Sequence, residues 1–244
     1  MVSTDFRKEA REKLSGKWGK AVCIVLAYAL ISGLLSFIGS KTTGTLNLII
    51  AIATVIIEIP LGFGFVVAFV KLFNSEEVGA FDFLKSGFNN FKRSWSIVWY
   101  TFLKMIWPLV LEIVAIVLLI IGSSAIKAKV ASSGLGAIGI IACILAVIAS
   151  IWSILLSYYY KLAPVIAADN ENMTGKEAVE ESKRIMKGKR AKLFFLELSF
   201  IGWAILAAFT LGFGFLWLVP YIQFATISFY KYISKDTNTN TTEE

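Results

Sequence analysis

The sequence lacks histidine entirely, and only 17% of its 244 residues are charged. A soluble domain of this size keeps about a quarter of its residues charged. The charges are also clustered, and long apolar runs lie between the clusters, as in membrane-spanning helices. The mean hydropathy of +0.72 agrees with this pattern. The composition therefore predicts an integral membrane protein.

The missing residue types also exclude most familiar chemistry. Without histidine, the chain has neither the usual metal ligand nor the usual general base near neutral pH. It has no nucleophile elbow, Walker A sequence, zinc-protease motif or Cys-x-x-Cys pair. Cys23 and Cys143 both lie in apolar runs, which favours buried thiols over a disulfide. We expect a non-enzymatic protein without metal or cofactor.

Six apolar stretches are long enough to form membrane helices. They cover approximately residues 18–39, 45–73, 96–121, 135–163, 193–211 and 215–233. Residues 1–233 are therefore predicted to form a single, all-α membrane domain with six spans. The polar tail 234–244 is expected to be disordered in the cytoplasm.

Three polar segments precede the first, third and fifth spans, and each carries an apolar stripe at helical spacing. The third begins with Thr174 and Glu177, the pattern of a capping box. These segments predict three amphipathic helices on the cytoplasmic side. The stripes are Phe6, Ala10 and Leu14 in the first, Phe81, Leu84, Phe88 and Phe91 in the second, and Ala178, Ser182, Ile185 and Met186 in the third.

The basic residues predict the orientation. With six spans, 20 of the 24 lysines and arginines lie on the side of the termini. The other four are Lys41, Lys127 and Lys129 in the opposite loops, and Lys104 inside a span. Positive residues favour the cytoplasmic side of a membrane. We therefore expect a cell-membrane protein with both termini in the cytoplasm.

The layout of amphipathic helix, outgoing span, turn and returning span occurs three times. The first and third blocks are the most alike, and Pro60 and Pro220 precede Lys71 and Lys231 in their returning spans. Two interpretations remain open. The chain either contains a threefold hairpin repeat, or shows the layout of any even-numbered helical membrane protein with short outer loops.

Glu58 and Glu112 are candidates for an intramembrane polar site, because ionisable groups inside spans are costly. Counting along the spans places both about 22–24 Å from the cytoplasmic face. If the spans touch, the two carboxyls could share a proton, bind a cation or contact a cationic substrate. Alternatively, each is protonated and bonded to a carbonyl freed by Pro60 or Pro108.

The most basic part of the chain is a candidate for anionic lipid headgroups, at ~1 kcal/mol per basic residue near the surface. The same run also serves as a topology signal, and the two roles are compatible. Glu197 lies close to the cytoplasmic boundary and can pair with Arg190 or Lys192. Nucleic acid is not an expected partner, because the run is held at a membrane boundary. The candidate contacts are Lys183, Arg184, Lys187, Lys189, Arg190 and Lys192.

Three stretches resemble one bacterial family. They are EAREKLSGKWGKAV, YYYKLAPVIAADNENMTGKEAVEESKRIMKGKR and LSFIGWAILAAFTLGFGFLWLVPYIQFATISFYKYI. Over residues 5–233 the chain resembles the integral membrane family catalogued as domain of unknown function 975. Trp152-Ser153 stands where that family often has Pro-Gly. The resemblance implies membrane topology and bacterial origin, and it implies no reaction.

Two functions remain open. The first is a non-enzymatic membrane protein that binds lipid, peptide or a protein partner in envelope maintenance or immunity. The second is a small transporter or permease that uses Glu58 and Glu112 for proton or cation coupling.

Overall fold

The structure is a computed structural model that describes residues 2–127 and 133–241, with side chains described for residues 2–121 and 139–237. Every regular element in these residues is a helix, as predicted. Lys129 and the side chain of Lys127 lie outside the described part. The helices are α1 (Ser3–Leu14), α2 (Trp18–Ser40), α3 (Gly44–Phe73), α4 (Asp82–Asn89), α5 (Phe91–Lys127), α6 (Ser133–Tyr160), α7 (Ala163–Asp169), α8 (Gly175–Met186), α9 (Arg190–Leu198), α10 (Ile201–Phe209) and α11 (Phe215–Thr241).

Five stretches of the described residues are long and apolar enough to cross a membrane, so the chain is a multi-pass membrane protein. The expected sixth span, in α11, is not among them, because this helix is less apolar than the other five stretches. Gln223, Lys231 and several tyrosines dilute its apolar residues. The five stretches are Trp18–Ser40, Gly44–Phe73, Phe91–Ile121, Gly139–Asp169 and Arg190–Phe209.

The described residues divide into a packed end and an apolar end. At the packed end, the first part of α2, the second half of α3 and the middle of α11 are buried with the faces of α1, α7 and α8. At the apolar end, the remaining parts of α2 and α3 and most of α5 and α6 expose large aliphatic side chains. A surface of this kind is stable when lipid covers it.

Helix α1 packs on α11. The ring of Phe6 meets the edges of Phe229 and Tyr232, with centroids 5.4 and 5.5 Å apart. Ala10 and Leu14, the rest of the predicted stripe, are fully buried. The apolar face of α1 is therefore covered by protein, and its charged face is turned outward.

The α1–α2 and α8–α9 corners are the same turn. In Leu14–Lys17 and Met186–Lys189, the fourth residue donates its N–H to the carbonyl of the first, at 2.8 and 3.1 Å. The second residues have φ, ψ of −55°, 128° and −60°, 121°. Gly16 and Gly188 stand third, both with φ of 76°. These are type II turns, which require glycine at that position.

Helix α4 lies against α3 through two glycines. A Cβ on Gly64 would stand 1.9 Å from the carbonyl oxygen of Phe83, and one on Gly87 would stand 2.1 Å from that of Pro60. Only residues without a side chain allow two helix backbones to approach so closely. This contact holds α4 beside the second half of α3.

The predicted apolar stripe around α4 is wrong for three of its four residues, and only Leu84 packs against the core. Phe83 and Gly87 face the core, whereas Phe81, Phe88 and Phe91 are exposed. The glycine contact selects the buried face, and the larger rings remain outside. The ring of Phe91 is stacked on that of Trp95.

Two further expectations are corrected. Cys23 and Cys143 are free but exposed rather than buried, because an apolar run does not distinguish a protein-facing position from a lipid-facing one. The tail is not disordered from Ser234, since α11 continues to Thr241 and Asp236 forms an ion pair with Lys189. Residues 242–244 lie outside the described part.

Candidate functional site

The basic segment begins with a well-defined helix end. The backbone N–H of Thr174 donates to the Glu177 carboxylate at 2.8 Å, and the N–H of Glu177 donates to the Thr174 hydroxyl at 3.3 Å. This is the predicted capping box. The hydrogen bonds from Thr174 lower the pKa of Glu177. Helix α8 is therefore stabilised at its start by a charged carboxylate.

The apolar stripe of α8 is used inside the protein. Ala178, Ser182, Ile185 and Met186 are buried, and α8 packs against α5, α6 and α7. The Ser182 hydroxyl donates to the carbonyl of Tyr159 at 2.7 Å. The stripe is not available to a leaflet, so any lipid contact of α8 belongs to its basic face.

Four of the six predicted basic contacts have partners within the protein. The Arg184 guanidinium binds Glu181 at 2.7 Å, and that of Arg190 lies 4.1 Å from the ring centroid of Tyr159. The ammonium of Lys192 lies 5.9 Å from the ring centroid of Tyr232.

The fourth, Lys189, forms an ion pair with Asp236, and its hydrogen bond and charge lower the pKa of that carboxyl. Lys183 and Lys187 are exposed, and no described hydrogen bond or ion pair engages either ammonium. The free positive charge of this segment is therefore concentrated on one face of α8 and at its end.

An apolar groove of about 400 Å³ opens beside the basic segment. It runs between α6 and the start of α9, and its surface is almost wholly hydrocarbon and aromatic. Arg190 is the one cationic side chain among its lining residues. The lining consists of Ile154, Leu155, Tyr158, Gly188, Arg190, Ala191 and Phe194.

The two predicted intramembrane glutamates have different surroundings in the described residues. Glu112 is half-buried and accepts a hydrogen bond from the Ser150 hydroxyl of α6 at 3.2 Å. Glu58 is half-buried on α3, two residues before Pro60. In the described part of the chain, no hydrogen bond or ion pair joins these glutamates, and neither lines the five cavities of about 290–400 Å³.

Glu197 pairs with a residue other than the two predicted. Its carboxylate lies 2.5 Å from the Lys161 ammonium and accepts a hydrogen bond from the Tyr158 hydroxyl at 2.9 Å. The expectation of Arg190 or Lys192 is wrong, because Glu197 faces the end of α6 while Arg190 stays on Tyr159. The signal in the sequence that could have indicated this partner is Lys161, the basic residue directly after the tyrosine cluster.

Sequence reasoning missed one polar cluster. The carboxylate of Asp169, at the end of α7, lies 2.6 Å from the Lys231 ammonium and accepts a hydrogen bond from the Tyr230 hydroxyl at 3.1 Å. Asn170 donates to the same hydroxyl, and Arg93 donates to the carbonyl of Asn170. These contacts join α5, α7 and α11 at the packed end. The family resemblance contained Asp169, but only the fold supplies its partners.

Comparison with known proteins gives one match. No curated protein and no solved structure matches the chain. The match is to a family described as Protein of unknown function (DUF975), and it extends over residues 1–237. On this match, which covers nearly the whole sequence, the chain belongs to the DUF975 family.

Proposed function

We propose that this protein binds an anionic phospholipid of the bacterial cell membrane, in the groove between α6 and α9. The supporting observation is that the apolar groove and the basic segment meet at Arg190. A phospholipid has the same two-part chemistry, an acyl chain attached to a phosphate. Binding without catalysis suits a role in envelope maintenance or immunity.

The phosphate is recognised by the basic side of the site. A guanidinium can offer two parallel N–H donors to a phosphate, and Arg190 lines the groove. Lys187 is the second residue of the turn, and Lys183 lies about one helical turn earlier on α8. Each free basic residue near a membrane surface contributes ~1 kcal/mol toward anionic lipid. The same charges favour a cytoplasmic location for this face and for both termini.

The acyl chain is received by the apolar side of the site. Ile154 and Leu155 on α6 and Phe194 on α9 provide hydrocarbon and aromatic surface. Burial of apolar surface stabilises such contacts without directional bonds. A neutral lipid would gain the stabilisation from apolar burial but not the attraction to the basic residues. The proposal therefore predicts selectivity for anionic headgroups.

The architecture is interpreted as three helical hairpins rising from one packed end. The identical type II turns of the first and third blocks support an internal repeat. In the middle block, the α4–α5 corner at Asn90 has φ of −103° and lacks this turn. We therefore propose a divergent repeat, in which the middle hairpin has changed most.

The transport alternative has less support. Glu112 is engaged by Ser150, and neither Glu112 nor Glu58 lines a cavity described above. Proton or cation transfer requires a polar path from such a carboxyl to one face of the membrane. The groove at Arg190 is the better-formed site.

The test is lipid binding to the purified full-length protein. Native mass spectrometry would be recorded after exchange into mixed phosphatidylglycerol and phosphatidylcholine. We expect phosphatidylglycerol to be retained preferentially, and the double variant Lys187→Gln/Arg190→Gln to reduce this preference by about thirtyfold, from the loss of two contacts of ~1 kcal/mol each.

Two controls separate the site from general electrostatics. Lys8→Gln/Lys176→Gln changes the net charge equally at exposed positions away from the groove, and it should retain the preference. Ala191→Trp fills the groove without changing charge and should lower retention of both lipids. Equal loss in the two charge variants, together with full retention by Ala191→Trp, would reject the site.

A further inference from the structure

We propose that the hairpin of α10 and α11 enters the membrane from the side of α1 and ends inside it. The tip of this hairpin, residues 209–215, then rests in hydrocarbon instead of emerging on the opposite face. This goes beyond the lipid site at Arg190 and does not depend on it. It assigns a membrane-insertion surface whose partner is the acyl region of the nearer leaflet.

The tip is apolar and exposed. Residues 198–222 contain no charged side chain. Phe209, Leu211 and Phe213 are 82%, 92% and 67% exposed. In the α2–α3 hairpin, by contrast, the tip carries Lys41 and two threonines, as expected for a tip that reaches water. Lipid removes the cost of exposing the apolar tip of α10–α11.

The groove that reaches the tip also reaches α1. Arg11, an exposed residue of α1, lines the same groove of about 370 Å³ as Thr210 and Gly214 at the tip. The charged face of α1 must remain in water or among headgroups. Trp18, Trp203 and Trp217 also line this groove. Indole rings are enriched at that boundary.

The length of α10 agrees with partial insertion. The Lys161–Glu197 pair marks a polar level near the end of α9, and both side chains are partly exposed. From Glu197 to Phe209 a helix rises ~18 Å at 1.5 Å per residue. The hydrocarbon core is about 30 Å thick. With this pair at the interface, the tip ends well short of the opposite interface, whereas a complete crossing would place the pair inside the membrane with the whole Arg190–Phe209 stretch.

The turn makes several of its own backbone hydrogen bonds, which lowers the cost of placing it in hydrocarbon. The Thr210 hydroxyl donates to the carbonyl of Ala207 at 2.6 Å and accepts from the N–H of Gly214 at 2.7 Å. The N–H groups of Phe213 and Phe215 bind carbonyls within the turn, at 3.1 and 3.0 Å. One hydroxyl thus replaces water at the centre of the tip.

The two helices also close tightly behind the turn. A Cβ on Gly214 would stand 2.7 Å from the Cα of Ala207. This close approach leaves no space for water between the helix ends. Leu211 and Gly212, with φ of 54° and 90°, are the left-handed residues that reverse the chain.

The test is the accessibility of single cysteines in the full-length protein in proteoliposomes. In a Cys23→Ala/Cys143→Ala background, Phe213→Cys and Leu211→Cys report on the tip. Lys8→Cys marks the face of α1, and Thr43→Cys marks the tip of the α2–α3 hairpin. We expect a membrane-impermeant maleimide to label the two tip positions about tenfold or more slowly than either marker, because thiolates form poorly in hydrocarbon.

A second measurement distinguishes a tip in lipid from a tip buried in protein. A nitroxide attached at Phe213→Cys should be more accessible to oxygen than to a water-soluble nickel complex. Rapid labelling from the face opposite Lys8→Cys would show a complete crossing and overturn the proposal. Rapid labelling from the same face, or a nitroxide shielded from both reagents, would also overturn it.

Discussion

Glu177 is the acidic residue with the clearest local role. It accepts the backbone hydrogen bond of Thr174 at the positive end of α8, and its pKa is lowered by that contact. A lowered folded-state pKa means that the charged form stabilises the fold. This stabilisation is complete above the ordinary value of 4.5 and is lost as the pH falls through the lowered value.

Glu177→Gln should therefore lower the melting temperature at pH 7, and the difference from the native protein should shrink at pH 3, because the stabilisation by the charged carboxylate decreases below pH 4.5. The measurement is thermal unfolding of both proteins in one detergent at both pH values. Glu180→Gln, an exposed position on the same helix, is the matched control and should show no such pH-dependent difference. An equal gap at pH 3 and pH 7 would contradict the role assigned to Glu177.

At the same scale, the ion-pair partners of single residues could be identified only from the fold. The capping box could be predicted because its two members are three residues apart on one helix. The partners of Asp169 and Glu197 could not be predicted, because Lys231 and Lys161 are distant from them in sequence. Several other carboxylates on the same side of the membrane are equally plausible partners for each lysine. Helix packing brings one of these within hydrogen-bond distance.

At the scale of elements, the α3–α4 contact shows how two glycines determine which face is buried. Gly87 approaches the carbonyl of Pro60, and Gly64 approaches that of Phe83. A stripe of phenylalanines is the stronger hydrophobic signal, but it faces outward in α4. Steric fit between backbones takes precedence here, since lipid provides an equally apolar environment for the rings.

Gly87→Ala should be strongly destabilising, because its Cβ would lie 2.1 Å from the Pro60 carbonyl oxygen and two backbones must separate. We expect a loss of about 1–3 kcal/mol, the usual cost of overpacking. Thermal unfolding in detergent measures it. Gly62→Ala on α3 is the control, since its Cβ meets only the Tyr28 hydroxyl at 3.9 Å. Equal effects of the two variants would contradict the close contact.

At the scale of the whole molecule, polar and basic faces gather at the packed end. Helices α1 and α8 bury their stripes against neighbouring helices and turn their charges outward. The apolar end contains the exposed aliphatic residues of α2, α3, α5 and α6. The result is a protein core near one membrane face, from which hairpins extend into lipid.

Both termini should then lie on the cytoplasmic face, whether the third hairpin crosses or only enters the membrane. Epitope tags at each end, treated with protease in intact and permeabilised spheroplasts, measure this. We expect both tags to be protected in intact cells and cleaved after permeabilisation. Cleavage of one tag alone in intact cells would require an odd number of crossings and would reject the arrangement.

The sequence by itself determined the helical class, the membrane setting, the capping box of α8 and the uneven distribution of charge. Composition, periodicity and residues three or four apart carry this information, because each depends on local chemistry or on contact with lipid. The tertiary structure decided which apolar faces meet protein and which meet lipid, because both environments accept the same side chains. It also decided the ion-pair partners, the glycine contact of α3 with α4, and the groove that Arg11 shares with the α10–α11 tip. These features depend on how helices distant in sequence approach one another.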